Sequence, residues 1–195
     1  RLIPAVSADH LQRNVIADDS VGAQLGEHFA GADRPRLQNR ILGVQTDGAA
    51  ILDLFAGSGA VGLEALSRGA RLAMFVEVHA PACRLIEKNL RLCGLYEQAA
   101  VWCDDVLNIL PTLNKQGQTF DLIFLDPPYR AALVEDALRQ LSDGQLLSAG
   151  GQVIGEHFFK RQLPERYGRL CRVRVARFGD VALSFYRVET QEGGG

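Results

Sequence analysis

The 195-residue chain is long enough for one domain with a small appendage, and 47% hydrophobic with 23% charged residues is ordinary for a soluble globular protein. The net charge of −2 gives no overall signature of a nucleic-acid binder, and no apolar run approaches the roughly 20 residues that a membrane span needs. None of the four cysteines has C-x-x-C or metal-site spacing, so we expect no metal and buried free thiols in a reducing cytoplasm.

Residues 1–48 predict an N-terminal extension that is partly helical. Apolar residues recur at helical spacing near 11–16, 21–29 and 37–42, and glycine and proline interrupt the pattern between them. We expect this extension to pack on the core of the protein or to cover its site.

From residue 49 the pattern becomes regular, and strands alternate with helices. This alternation favours an α/β fold with a mostly parallel, seven-stranded sheet and helices on both faces. Gly179-Asp180 is typical of a hairpin turn, which adds an antiparallel strand at the C-terminal end. The domain is expected to span 49–190, with a flexible tail at 191–195. The predicted strands are 49–54, 72–78, 99–103, 120–125, 151–156, 168–177 and 181–188, and the predicted helices are 60–68, 80–93, 105–113 and 131–141.

A glycine turn, D-L-F-A-G-S-G, joins the first strand to the first helix. This geometry presents backbone N–H groups to a ligand, and the glycines let the backbone approach that ligand closely. Gly57, Gly59 and Gly62 match the dinucleotide pattern G-x-G-x-x-G, but Asp53 suits a ligand with a cationic amino-acid end better. A tight turn without a ligand is the alternative. The candidate cofactor-binding residues of this turn are Asp53, Phe55, Ala56, Gly57, Ser58 and Gly59.

Acidic residues follow the next strands, where ligands of parallel sheets bind. Glu77 follows the glycine turn by about 20 residues. An acid at this distance accepts hydrogen bonds from ribose hydroxyls, and one carboxylate can accept from both. Asp104 and Asp105 end the third strand, where one acid could accept a hydrogen bond from an adenine amino group. We favour Asp105 because a helix starts directly after it, and helix capping alone is the alternative.

Asp126-Pro127-Pro128-Tyr129, the D-P-P-Y loop, follows the fourth strand. The two prolines stiffen the loop and remove two N–H donors. The Asp126 carboxylate and the Pro127 carbonyl then provide two acceptors, which suit an exocyclic NH2 group. Tyr129 offers a flat face on which a base could stack. These four residues are the candidate catalytic residues.

D-L-F-A-G-S-G followed by D-P-P-Y resembles the class I amino-methyltransferases, which have a Rossmann-like fold. The chain resembles the RsmD family more closely at four places. These are G-L-E-A-L-S-R-G-A at 62–70, Glu77, N-L at 89–90 and F-D-L-I-F-L-D-P-P-Y at 120–129. Members of that family methylate the N2 amine of a guanine in 16S ribosomal RNA. The resemblance covers about residues 49–188, whereas the first 48 residues depart from the family pattern.

The resemblance implies S-adenosylmethionine as the cofactor and 16S ribosomal RNA, or a small-subunit assembly intermediate, as the partner in the cytoplasm. We expect a monomer. Two further interpretations stay open. One keeps the cofactor but changes the acceptor to adenine N6 of DNA or to a protein glutamine, and the other is a non-catalytic RNA-binding assembly factor. A dehydrogenase would have no use for the D-P-P-Y loop, and no histidine lies in a motif that assigns it a role.

A basic segment lies at 160–187. It contains one lysine and seven arginines but only two acidic residues. Strand alternation predicts that Arg172 and Arg174 lie on one face, where they could bind RNA phosphates. A solvated strand face is the alternative.

Overall fold

The computed structural model describes residues 45–128 and 131–189. The predicted N-terminal extension up to residue 44, Tyr129 and the predicted tail at 191–195 lie outside these residues. The chain divides between Val106 and Leu107 into two compact units. In the described parts of the chain, no helix combines the length and the hydropathy that a membrane span needs.

The first unit contains a parallel sheet in the order β3-β2-β1. β1 is buried along its whole length and β2 along all but its first residue, as is usual for strands of a parallel sheet that is covered on both faces. The strands are β1 (Ala50–Leu54), β2 (Leu72–Glu77) and β3 (Ala99–Cys103), and the helices are α1 (Ala60–Ser67), α2 (Ala80–Cys93) and a 3₁₀ turn (Tyr96–Gln98).

Local signals set the ends of α2. Pro81 occupies the first turn, where its missing N–H leaves no hydrogen bond unmade. Gly94 follows the last turn in the left-handed conformation, with φ of 68°. Between them Ile86 and Leu90 are fully buried, so this helix turns one apolar stripe to the core.

The second unit begins within α3 and contains a sheet in the order β4-β5-β8-β7-β6. β4 and β5 are parallel, and the remaining neighbours are antiparallel. Its strands are β4 (Phe120–Leu125), β5 (Leu147–Phe158), β6 (Arg166–Tyr167), β7 (Leu170–Phe178) and β8 (Val181–Val188), and its helices are α3 (Val106–Lys115) and α4 (Ala131–Asp143). The predicted α/β class, parallel strands followed by an antiparallel hairpin, is confirmed.

The described residues contain one strand more than predicted, because the two-residue β6 pairs with the start of β7. β5 is also longer than the predicted 151–156. Its early part pairs with β4 through an irregular register between Phe120 and Leu122, and its late part pairs with β8. The core of this unit contains the fully buried rings of Phe120, Phe124 and Tyr186.

Candidate functional site

The turn after β1 is held by the buried carboxylate of Asp53, which is 2% exposed. Its Oδ2 accepts a hydrogen bond from the backbone N–H of Gly62 at 3.0 Å. Gly62 lies in the first turn of α1, where backbone N–H groups have no partner within the helix. A negative charge at this end also interacts favourably with the helix dipole. Asp53 therefore fixes α1 against β1.

The glycine turn contains a strained residue that the sequence did not indicate. Phe55 has φ of 60°, a left-handed conformation that is unusual for a bulky side chain. Two backbone hydrogen bonds hold the turn in place, from Ala56 N to Val76 O at 3.1 Å and from Gly59 N to Ala56 O at 2.8 Å. Such strain costs about 1–3 kcal/mol and occurs often at ligand sites.

Two glycines of this turn are required by close packing. A Cβ on Gly59 would lie 3.1 Å from the side chain of Ile86, and its φ of 77° already disfavours other residues. A Cβ on Gly62 would lie 2.3 Å from the ring of Phe75, closer than atoms can approach. By contrast, a Cβ on Gly57 would meet nothing within 4 Å, so the tip of the turn faces open space.

Glu77 ends β2 and is 4% exposed. Its Oε2 accepts a hydrogen bond from Gly57 N at 2.9 Å, and its Oε1 accepts one from His79 N at 2.9 Å. The His79 ring also contacts Oε1 through Nδ1 at 2.9 Å, and Nδ1 must carry the proton because a carboxylate only accepts. These contacts use three of the roughly four acceptor positions of the carboxylate.

The sequence analysis gave His79 no role at the site and named Asn89 only within the N-L segment at 89–90. The His79 side chain is 50% exposed. Asn89 is fully buried, and its amide donates a hydrogen bond to the Ser58 carbonyl at 3.4 Å, which ties α2 to the glycine turn. The sequence signal for His79 was its position two residues after the acid that ends β2. The signal for Asn89 was a polar residue within the apolar stripe of α2.

The end of β3 carries both candidate acids. Asp104 is exposed, Asp105 is half-buried, and Asp104 Oδ1 accepts a hydrogen bond from Asp105 N at 2.7 Å. The choice of Asp105 for the adenine contact stays a prediction.

The expectation of buried thiols is correct for Cys83 and Cys93 and wrong for Cys103, which is exposed at the end of β3, while Cys171 is half-buried. The Cys83 thiol donates to the Glu77 carbonyl at 3.2 Å. Burial, with the neighbouring Cys103 as a smaller cause, raises the pKa of Cys83 to about 12. Cys83 therefore stays protonated at neutral pH.

The D-P-P-Y loop begins directly after Leu125, the last residue of β4. Asp126 and Pro127 are half-buried, and Pro128 is exposed. In the parallel register Leu125 pairs with Gly155, so the loop leaves the sheet of the second unit beside the last residues of β5.

The prediction that Arg172 and Arg174 share one face is wrong, because β7 contains a bulge. Arg172 pairs with Tyr186, whereas Arg174 pairs with Phe185. Since Tyr186 and Phe185 are neighbours along β8, they point to opposite faces of the sheet, and so do the two arginines. Val173 is the additional residue, and it is 55% exposed.

The two arginines also differ in their partners. Arg172 is 19% exposed, and its guanidinium donates to the Leu163 carbonyl at 2.5 Å and to Glu165 at 3.3 Å. Arg174 is exposed, and its guanidinium lies 4.0 Å above the Phe185 ring. Other arginines of the basic segment are also engaged within the protein: Arg161 with Glu135, Arg166 with Glu189, and Arg169 with the carbonyls of Ser142 and Gly144.

Residues 37–187 match the family described as Conserved hypothetical protein 95. The chain is 35% identical over 147 residues to a Bacillus subtilis (strain 168) protein named "Putative rRNA methyltransferase YlbH", with 75% of this chain and 80% of that protein covered. It is 34% identical over 145 residues to "Ribosomal RNA small subunit methyltransferase D" of Escherichia coli (strain K12), with 73% of this chain and 70% of that protein covered.

Solved structures agree with this assignment. A Streptococcus pyogenes structure titled "conserved hypothetical protein" has 29% identity and a TM-score of 0.71, covering 80% of this chain and 95% of that one. A structure titled "a putative methyltransferase complexed with SAH" has a TM-score of 0.65 and covers 80% of this chain and 50% of that one, and at 16% identity it supports the methyltransferase fold alone. The chain therefore belongs to the Conserved hypothetical protein 95 family, together with YlbH and the RsmD ribosomal RNA methyltransferases.

Proposed function

We propose that this protein transfers a methyl group from S-adenosylmethionine to the exocyclic N2 amine of a guanine in 16S ribosomal RNA, in the cytoplasm. The main support is the D-P-P-Y loop directly after β4. The glycine turn of the same chain has a strained residue, Phe55, and the buried acids Asp53 and Glu77 lie at the ends of β1 and β2. The 34% identity to a small-subunit ribosomal RNA methyltransferase supports the choice of RNA.

The first unit fits this cofactor. Glu77 Oε2 has an acceptor position beside the Gly57 contact, which suits a ribose hydroxyl. A second hydroxyl would replace the His79 ring on Oε1. The open space at Gly57 leaves room for the ligand, and Asp105 would accept from the adenine amino group. When bound, the cofactor supplies an electrophilic methyl group on a sulfonium.

The D-P-P-Y loop would hold the methyl acceptor. The Asp126 carboxylate and the Pro127 carbonyl each accept one N–H of the target amine, and Tyr129 stacks on the base. An aromatic amine has its lone pair drawn into the ring, and hydrogen bonds to both N–H groups favour a more tetrahedral nitrogen whose lone pair is free to attack. Much of the rate then comes from positioning, and the amine proton leaves to Asp126 or to water.

RNA phosphates would be bound by Arg174 rather than by Arg172. Arg174 is exposed on β7, whereas the guanidinium of Arg172 already donates to Leu163 and Glu165. A guanine within an RNA helix has to be flipped out or presented unstacked before its amine can reach the D-P-P-Y loop.

The test compares Asp126→Ala and Asp126→Asn with the wild-type protein. Methyl transfer from labelled cofactor into small-subunit RNA should fall roughly 10²–10⁴-fold in Asp126→Ala, which removes the acceptor, and less in Asp126→Asn, whose amide oxygen can still accept one N–H. Cofactor affinity, measured by calorimetry, should be unchanged, since Asp126 would contact the acceptor base. Near-normal turnover by Asp126→Ala would contradict the proposal and favour a non-catalytic assembly factor.

A further inference from the structure

Two consecutive phenylalanines are exposed at the end of β5. Phe158 is 41% exposed and Phe159 is 36% exposed. The backbone around them is held by two hydrogen bonds, from Phe159 N to Asp180 O at 2.7 Å and from Arg161 N to Phe158 O at 2.9 Å. The rings therefore stand on a fixed turn, but they point to opposite faces of the sheet because the two residues are neighbours along the chain. Phe158 pairs with Val181, whereas Arg177, which lies on the Phe159 ring, pairs with Ala182.

A cation lies directly on one of these rings. The Arg177 guanidinium is 3.4 Å from the centroid of the Phe159 ring, and its Nε donates to the Gly179 carbonyl at 2.9 Å. The exposed Lys160 follows Phe159 in the chain. The exposed Phe159 ring and the guanidinium on it combine a flat apolar face with positive charge, the two features with which proteins bind unpaired nucleic acid.

The position of this cluster relates it to the D-P-P-Y loop of the same unit. Leu125, which precedes that loop, pairs with Gly155 in the parallel register of β4 and β5. Phe158 lies three residues further along β5, which is about 10 Å at the rise of a strand. Both features thus lie at the C-terminal end of the two parallel strands, where ligands of such sheets bind.

We propose that Phe159 and Arg177 form a stacking platform for an unpaired nucleotide that neighbours the target guanine in the RNA. This inference rests on the proposed function. Extracting a guanine from a helix costs a few kcal/mol of stacking, and the base next to it loses a partner. An exposed ring offers that base a new surface, whereas a paired duplex keeps its bases stacked inside and gains nothing from the platform.

The test measures binding of a fluorescein-labelled, unpaired oligoadenylate and of a blunt RNA duplex by fluorescence anisotropy. Phe159→Ala should weaken oligoadenylate binding about tenfold, while binding of the duplex stays unchanged. Phe159→Tyr should keep the affinity because the ring remains, and Phe158→Ala, on the opposite face, should leave both affinities unchanged. Val175→Ala is the matched control: it shortens an apolar side chain of β7 that is 46% exposed and should leave both affinities unchanged.

Wild-type affinity for oligoadenylate in Phe159→Ala would overturn the platform, as would an equal loss in Phe158→Ala or in Val175→Ala. Methyl transfer into small-subunit RNA, measured on the same preparations, separates the two proposals. Transfer by the wild-type protein with no loss of affinity in Phe159→Ala would reject the platform alone. Absence of transfer with the expected loss of affinity would reject the proposed reaction and support the platform.

Discussion

The carboxylate of Glu77 accepts a hydrogen bond from the backbone N–H of Gly57 at 2.9 Å, so the end of β2 fixes the turn that follows β1. Because His79 occupies the other oxygen of the same carboxylate, the proposed ribose contact and the shape of the turn depend on one side chain. A substitution at Glu77 should therefore change ligand affinity and the stability of the turn together.

Glu77→Ala should weaken binding of S-adenosylmethionine by about 1–3 kcal/mol, the scale of a hydrogen bond to a charged group. It should also lower the free energy of unfolding, because Gly57 N and His79 N lose their acceptor. His79→Ala is the control: it removes only the ring from Oε1 and should not weaken cofactor binding. Calorimetry with S-adenosylmethionine, and with NAD as a ligand that should not bind, measures these affinities. Binding of NAD without binding of S-adenosylmethionine would contradict the site assignment.

Gly62→Ala should lower the free energy of unfolding by about 1–3 kcal/mol, the usual cost of adding a methyl group to a packed core. The added Cβ would lie 2.3 Å from the Phe75 ring, which is fully buried and cannot move away freely. Denaturant titration should also find a smaller cost in a Phe75→Leu background, because the two residues are in contact. An equal cost in both backgrounds would show that the ring is not the obstacle.

The free energy of unfolding should fall as the pH drops from about 7.5 to 5.5, because of His157. Burial lowers the pKa of His157, while the hydrogen bond to the Phe158 carbonyl opposes this and the charges of Arg172 and Arg161 add to it. The unfolded chain takes up a proton near pH 6.5, and the folded protein takes it up only at lower pH, so acid favours unfolding.

In the neutral ring that the lowered pKa of His157 favours, Nδ1 donates to Phe158 O at 3.1 Å and Nε2 accepts from the Ser184 hydroxyl at 2.9 Å. His157→Gln removes the titrating group and should flatten the decline in denaturant titrations across this pH range. The same slope in the variant and the wild type would assign the pH dependence to other groups.

Arg172→Ala and Arg174→Ala should have different effects, because the bulge places the two side chains on opposite faces. Arg172→Ala should lower the free energy of unfolding by about 1–3 kcal/mol, since the buried Leu163 loses the donor to its carbonyl. Arg174→Ala should reduce RNA affinity and lower the salt dependence by about one phosphate contact. Thermal unfolding and RNA binding at several salt concentrations measure both. If RNA affinity depended on salt concentration as steeply in Arg174→Ala as in the wild type, Arg174 would be a solvated residue of the strand that contacts no phosphate.

Local signals were sufficient for much of the fold. Pro81 and Gly94 set the bounds of α2 correctly, and Asp53 and Glu77, the acids that close two apolar runs, marked the ends of β1 and β2. The bulge at Val173 could not be predicted, because alternation in one strand does not reveal how its partner pairs with it. The left-handed Phe55 was also hidden, since only the hydrogen bonds around the turn impose a conformation that its side chain disfavours.

The most direct test of the proposed function identifies the methylated product. The wild-type protein and Asp126→Ala are incubated with methyl-labelled S-adenosylmethionine and with total RNA, DNA and protein, and each pool is digested and analysed. The account predicts label in 16S ribosomal RNA as N2-methylguanosine, and its loss in Asp126→Ala. Label in DNA as N6-methyladenine, label in protein glutamine, or no transfer by the wild-type protein would contradict it.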